Sequence, residues 1–339
     1  MRLSSDQVKR ILIAITVFAT SLTLVIAALV VISAQGAPSR PPSIQAAPEP
    51  VDPSQATYAI APSWQRPTGL VSPRGASLDV FQGLGTWVDI WDAPTWRKPE
   101  ATVAAMAKRG VRTLFIQSGN YSQRDQLFKE DKLKEFISAG HARGIKVVAW
   151  YLPNMKTGSV DYTRIMRAID LRTADGQGFD GFALDIESTA ISSESMRNHG
   201  LEALSAKIRS AVGGRYPMGA IIPPPAQLAH ENSMWNNFPY AMLTRYYDVF
   251  MPMGYYTYNG YTASAALSDV RANLAVLRAQ RNCRKFPVHL IGGEAENSSD
   301  DETRAFVKGA VAGKVIGASV YTWDGTTSGA WKALSAINP

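Results

Sequence analysis

The sequence predicts an α/β fold, a (β/α)8 TIM barrel, from three observations. Short apolar runs alternate with longer amphipathic ones through eight cycles from residue 84 onward. Those cycles fill about 250 residues, the usual size of such a barrel. The short runs are continuously apolar rather than alternating, as strands are when helices cover the sheet on both faces. An open doubly wound sheet would instead need a phosphate-binding glycine loop after an early strand. Gly83-Leu84-Gly85 lacks the third glycine and precedes its strand.

Taken in order, strands are expected at 84–91, 111–117, 146–152, 181–186, 218–222, 249–253, 288–291 and 318–322. Helices are expected at 99–109, 132–143, 162–171, 194–212, 265–281 and 300–312. Pro99 suits a first helical turn, where its missing N–H would have had no partner. Gly110 and Gly144 close helices at positions that favour a left-handed backbone. Ser299 and Glu302 form a capping box ahead of Ala305-Phe306-Val307.

Three segments follow from composition: a basic stub plus membrane anchor at 1–34, a proline-rich linker at 35–77, and the barrel at 78–339. Residues 11–33 carry no charge, and at ~1.5 Å per residue such a run spans a hydrocarbon core of ~30 Å. Arg2, Lys9 and Arg10 precede it, which keeps the amino terminus cytoplasmic. The expectation is a single-pass cell-membrane protein with its barrel outside. The competing expectation is a signal peptide cleaved near Ser33-Ala34 or Gly36-Ala37, leaving a secreted domain. Residues 35–77 hold nine of the 20 prolines and few large aliphatics, the composition of an extended spacer.

The formal charge of +7 is concentrated at the amino end, for residues 78–339 carry 29 Lys/Arg against 25 Asp/Glu. With no basic run or aromatic-basic interleaving, nucleic acid is not an expected partner. His141, His199, His230 and His289 have no ligand spacing, so no metal and no cofactor is expected. A serine-nucleophile elbow is also missing. Cys283 is the only cysteine, which rules out an intramolecular disulfide.

In a barrel, reactive groups stand at the carboxyl ends of the strands. The fourth strand ends in Asp185 and Glu187, two residues apart and therefore on one face. Adjacent buried carboxylates drive their pKa values apart, leaving one as an acid and one as an ionised stabiliser. That is the electrostatic requirement of a glycosidase. Other strand ends offer Asp89, Trp91 and Asp92, then Gln117, Trp150, Tyr255 and Tyr256, Glu294 and Glu296, and Trp323 with Asp324. Of these, Asp89, Trp91, Gln117, Trp150, Tyr256, Trp323 and Asp324 are candidate substrate-binding residues. Trp235 and Tyr240 are candidates for a lid or subsite wall.

Asp180-Gly181-Phe182-Ala183-Leu184-Asp185-Ile186-Glu187 resembles the fourth-strand signature of glycoside hydrolase family 18, the chitinase-like barrels. Met253-Gly254-Tyr255 is similar to that family's sixth-strand element, and Trp323 falls where it places a tryptophan under the reacting sugar. The resemblance implies substrate-assisted retention, in which the sugar's N-acetyl oxygen attacks the anomeric carbon. It implies Glu187 as acid/base, Asp185 as stabiliser of the acetamido group, and Tyr255 as its hydrogen-bond donor. The chain departs from the pattern at Ala183, where the family has an inner aspartate, and at Tyr256, where it continues with aspartate.

A second scheme uses Glu294 as a nucleophile opposite Glu187. The function expected is cleavage of a cell-surface or extracellular polysaccharide. The alternative is a catalytically inactive barrel that binds glycans or cell-wall partners, and the duller reading of Asp185 and Glu187 is a structural cluster bridged to arginines.

Overall fold

The computed structural model describes residues 69–156, 158–230, 233–258 and 262–337. Its strands are β1 (Gly83–Val88), β2 (Thr113–Asn120), β3 (Lys146–Leu152), β4 (Gly181–Asp185), β5 (Met218–Ile222), β6 (Val249–Pro252), β7 (His289–Glu294) and β8 (Gly317–Tyr321). All pair in parallel, in the order β6-β5-β4-β3-β2-β1-β8-β7. The outer members meet through bridges Phe250–Val288 and Met253–Ile291, which close the ring. Gly254 makes that closure possible. Its N–H donates to Ile291 O at 2.8 Å, and a Cβ there would sit 2.9 Å from the same oxygen.

The helices are α1 (Ala93–Arg97), α2 (Pro99–Lys108), α3 (Glu130–His141), α4 (Gly158–Ile169), α5 (Glu194–Val212), α6 (Pro225–Leu228), α7 (Tyr240–Leu243), α8 (Ala263–Ala279), α9 (Asp300–Ala312) and α10 (Ser328–Leu334). Strands β3 and β5 and helices α5 and α9 begin and end at their sequence-predicted residues. Gly110 and Gly144 take φ of 76° and 69°, and the Ser299–Glu302 capping box forms in both directions. Helices α1, α6, α7 and α10 were not expected, since four to seven residues are too few to show a helical period.

Two apolar cores follow from strand alternation. Leu114, Ile116, Phe182 and Leu184 face the helices, while Phe115, Val148, Trp150, Ala183, Ile221 and Met251 fill the barrel. Its amino end is plugged by Leu78, Val80 and Phe81, which continue this inner core. Residues 70–77, assigned to the linker by composition, belong instead to the body. Ala76 is buried, Leu70 packs on the inner core and Arg74 pairs with Asp248 at 3.0 Å. Composition concealed this because one arginine and a few small side chains supply the contacts. Among the described residues no helix is long and apolar enough to cross a membrane, and the expected anchor at 11–33 lies outside them.

Candidate active site

β4 carries the central pair. Asp185 is 6% exposed at its last position, paired in register with Ile221 of β5. Glu187, two residues on, is half-buried at the mouth. Asp185 Oδ1 is buried with no hydrogen-bond partner. Burial, and then the charge of Glu187, push the Asp185 carboxyl well above the ordinary carboxylate range. Burial raises Glu187 as well. Among the described residues no lysine or arginine forms an ion pair with either, so the arginine-bridged reading does not describe this pair.

Tyr255 follows the β6 end in a left-handed conformation with φ of 38°, a backbone choice costly for a residue with a Cβ. Burial raises its hydroxyl pKa most, followed by the charges of Glu187 and Asp185, so the ring stands in the field of both carboxylates. Its centroid lies 6.1 Å from that of Tyr321, which lies 6.5 Å from Trp87; Trp87 stacks on Phe115 at 4.5 Å and meets Trp150 edge-on at 6.0 Å. This aromatic column carries the inner core up to the carboxylates. Trp150 Nε1 is the second buried polar atom there with no partner.

Tyr321 was missed by the sequence reading, although it follows the inward Ser319 by two residues on one strand. Its hydroxyl donates to Asp89 Oδ2 at 2.8 Å, and burial together with Asp89 raises its pKa. Asp89 Oδ1 accepts the N–H groups of Trp91 and Asp92 at 2.7 and 3.0 Å, which fixes the loop after β1. Gln117 Oε1 accepts from Ile90 N at 3.0 Å, tying that loop to β2. Trp91 is 55% exposed on the rim. Glu294 ends β7, where its carboxylate accepts from the Tyr258 hydroxyl and from Asn297 Nδ2 at 2.6 Å. Tyr258 is affected by both Glu294 and Glu187, so the two glutamates act on one stretch of the mouth.

Three expectations need correction. Tyr256 does not face the mouth: it is fully buried between barrel and helices, its ring against Phe306 at 5.6 Å and its hydroxyl bonded to Ser298 Oγ at 2.8 Å. The turn at Tyr255 sends these adjacent rings to opposite sides of the barrel wall. Trp323 is not the inward ring of β8, a place that Tyr321 takes; it packs 5.1 Å from Trp331 and against the outer core. Trp235 and Tyr240 are buried, and Trp235 lies under Arg197 at 4.4 Å, so neither is a lid. Asp324 is exposed after β8 and raises the pKa of Asp92 through its charge. Among the described residues no group of three or more His, Cys, Asp or Glu is placed to hold a metal.

Fold and strand-end geometry together define a (β/α)8 barrel that carries two neighbouring carboxylates at the end of its fourth strand. Solved structures similar in fold include the endo-β-1,4-mannanase from Thermotoga petrophila, with TM-score 0.58 and 10% identity over 76% of each chain. Another is the family 18 chitinase from Cycas revoluta in complex with (GlcNAc)3, at TM-score 0.54 and 10% identity over 75% of this chain and 99% of that one. The spore cortex-lytic enzyme of Bacillus cereus matches at TM-score 0.54 and 9% identity over 76% of this chain and 74% of its own. No protein-family model and no curated protein matches the sequence.

Proposed function

We propose that the chain is an exported, membrane-anchored glycoside hydrolase acting on a cell-surface or extracellular polysaccharide. Residues 11–33 supply the anchor, and Arg2, Lys9 and Arg10 ahead of it keep the amino terminus cytoplasmic. The observation that carries the reading is the partnerless Asp185 Oδ1, buried beside a half-exposed Glu187 with both carboxyls raised. A buried acceptor with no internal donor costs stability, and a sugar substituent would satisfy it. The Cycas chitinase holds (GlcNAc)3 on the same fold, which supports a polysaccharide substrate.

Glu187, protonated beyond the usual carboxylate range, donates its proton to the departing glycosidic oxygen. The acetamido oxygen of the same sugar attacks the anomeric carbon, and Asp185 orients that group and offsets the positive charge it acquires. Tyr255 donates a hydrogen bond to the acetamido oxygen. Glu187, now ionised, then takes a proton from the water that opens the intermediate. In a direct-displacement variant Glu294 replaces the acetamido group as nucleophile, favoured by the Tyr258 and Asn297 bonds that fix its carboxylate in place. A carboxyl separation of about 5 to 5.5 Å between Glu187 and Glu294 in a sugar complex would select that variant.

The test is release of reducing ends from a panel of wall and storage polysaccharides by the full chain. Glu187→Gln should lower that rate by about 10²–10⁴ while glycan binding survives. Unchanged turnover in that variant would overturn the assignment. Binding without turnover in the wild-type chain would instead identify an inactive glycan-binding barrel, the outcome that Ala183 in the inner aspartate position would explain.

A further inference from the structure

Tyr258 is half exposed at the mouth, yet its place is fixed. It ends a 3-10 turn, Tyr256–Tyr258, whose other two residues are buried. Thr257 Oγ1 accepts Glu294 N at 3.3 Å, and the Tyr256 hydroxyl is bonded to Ser298 Oγ at 2.8 Å, so the turn is tied to the end of β7 and to the loop beyond it. Gly293 lets the turn come this close: a Cβ there would lie 2.6 Å from the Thr257 methyl and 3.0 Å from the Tyr256 ring. Tyr258 N donates to Tyr255 O at 2.9 Å. The Tyr258 hydroxyl donates to Glu294 Oε1, and Glu294 Oε2 accepts Asn297 Nδ2 at 2.6 Å. Both oxygens of Glu294 are therefore engaged within the chain, one of them in holding the phenol.

The same ring adjoins the carboxylate pocket. Its centroid lies 5.9 Å from that of Tyr255, with the two planes at 75°. Tyr255 packs on the inner core that holds Trp150 and Ala183, and Asp185 is the next inward residue of β4 after Ala183. With its hydroxyl bound to Glu294 and half of its surface open, Tyr258 presents a fixed apolar ring to whatever enters beside Tyr255. A ring already held in place loses little freedom when a ligand packs on it, so the contact contributes more to affinity than one with a rotating side chain.

We infer that Tyr258 is the stacking surface for the sugar next to the reacting one, and that Glu294 is its positioning residue. The inference rests on the hydrolase reading above and deepens it. The C–H face of a sugar ring meets the electron-rich face of the phenol, an attraction that depends on the ring and its orientation rather than on charge. Glu294 thereby has a task that an amide oxygen could also perform, whereas attack on an anomeric carbon could not be. Bond breaking is left to Glu187 and Asp185, which speaks for the substrate-assisted route over direct displacement.

Calorimetric titration of the full chain carrying Glu187→Gln reads binding without turnover, with an N-acetylglucosamine oligomer and a mannose oligomer of equal length as probes. Added to that parent, Tyr258→Ala should weaken the tighter probe about tenfold, and Tyr258→Phe about threefold, since phenylalanine keeps the ring and loses the bond that fixes it. Glu294→Ala should match Tyr258→Phe, and the two together should cost no more than either alone, because one acts through the other. Glu294→Gln, which keeps an acceptor for the hydroxyl, should restore most of the affinity that Glu294→Ala loses. Binding by Tyr258→Ala as tight as the parent's, additive losses in the double variant, or failure of both probes to bind would overturn the inference. So would a loss of about 10⁴-fold in kcat on Glu294→Gln in the otherwise wild-type chain, the mark of a nucleophile. Release of reducing ends by the wild-type chain is read separately, so failure of the hydrolase reading and failure of the stacking surface give different results.

Discussion

The two ends of the barrel treat buried charge in opposite ways. At the amino ends of the strands every functional atom of the buried acids is answered from within the chain. Asp248, just before β6, takes Arg74 at 3.0 Å and Arg209 at 2.7 Å, and accepts Met218 N at 2.9 Å. Asp180, just before β4, takes His141 at 2.8 Å, Lys146 at 3.0 Å and Val147 N at 2.8 Å. His289 inside the barrel donates from Nδ1 to Phe81 O at 2.8 Å and accepts the Ser319 hydroxyl at 2.9 Å; that hydroxyl in turn accepts Trp87 Nε1 at 2.8 Å. At the carboxyl ends, Asp185 Oδ1, Asp92 Oδ2 and Trp150 Nε1 are buried with nothing to bond. The acids at the amino end are held for stability, whereas two at the carboxyl end, Asp185 and Asp92, each keep an oxygen open.

Several measurements break or sharpen this contrast. Asp248→Ala should cost the most, about 3–5 kcal/mol, because two guanidinium groups lose their partner in a buried place. Denaturant unfolding reads this, and the pH profile of turnover should keep its shape.

Acid should act with opposite sign at the two ends. Burial depresses His289 from 6.5 to about 4, so its neutral form stabilises fully above pH 6.5 and that contribution, up to about 3 kcal/mol, is lost as pH falls toward 4. Asp185 and Glu187 are raised, so the folded state takes up protons there before the unfolded chain does and gains stability as pH falls through their elevated values. Unfolding midpoints between pH 7 and pH 4 should therefore fall more steeply in Asp185→Asn than in wild type. A flatter decline in that variant would contradict the assignment of signs.

Asp185→Asn should also lower turnover about a hundredfold, roughly 2.7 kcal/mol, at unchanged or improved stability near neutral pH, since it replaces a buried carboxyl whose Oδ1 has no partner. Steady-state hydrolysis set beside thermal unfolding separates the two effects. The smallest change is expected of Tyr321→Phe, which loses one hydrogen bond to Asp89 and about 1 kcal/mol of stability, and loosens the β1 loop that carries Trp91 and Asp92. Unfolding in denaturant, with glycan affinity as a second readout, checks it.

The strand order was largely legible without coordinates, whereas the ion pairs at the amino end, such as Arg74 with Asp248, were not. Continuous apolar runs marked β3 and β5 to the residue, the helical period marked α5, and a capping box marked α9, because these signals are local. Asp185 and Glu187 were legible for the same reason, since strand alternation alone puts them on one face. What sequence could not carry were changes of direction beyond a strand end. The positive φ at Tyr255 turns Tyr256 away from the mouth, and the departure of the chain after Tyr321 leaves Trp323 on Trp331. Neither event has a residue signature, for no glycine or proline marks the turning residue at either place. The glycines that do matter, Gly292 and Gly293, serve packing instead: a Cβ on Gly293 would strike Thr257 at 2.6 Å, and one on Gly292 would meet Phe306 at 3.0 Å.

The most direct measurement is a crystal structure of the Glu187→Gln chain soaked with an amino-sugar oligomer. The sugar is expected across the carboxyl ends of the strands, with a substituent hydrogen-bonded to Asp185 Oδ1 and the glycosidic oxygen about 2.6–3.2 Å from the residue 187 side chain. A sugar bound elsewhere, with Asp185 Oδ1 and Trp150 Nε1 still without partners, would contradict a catalytic mouth.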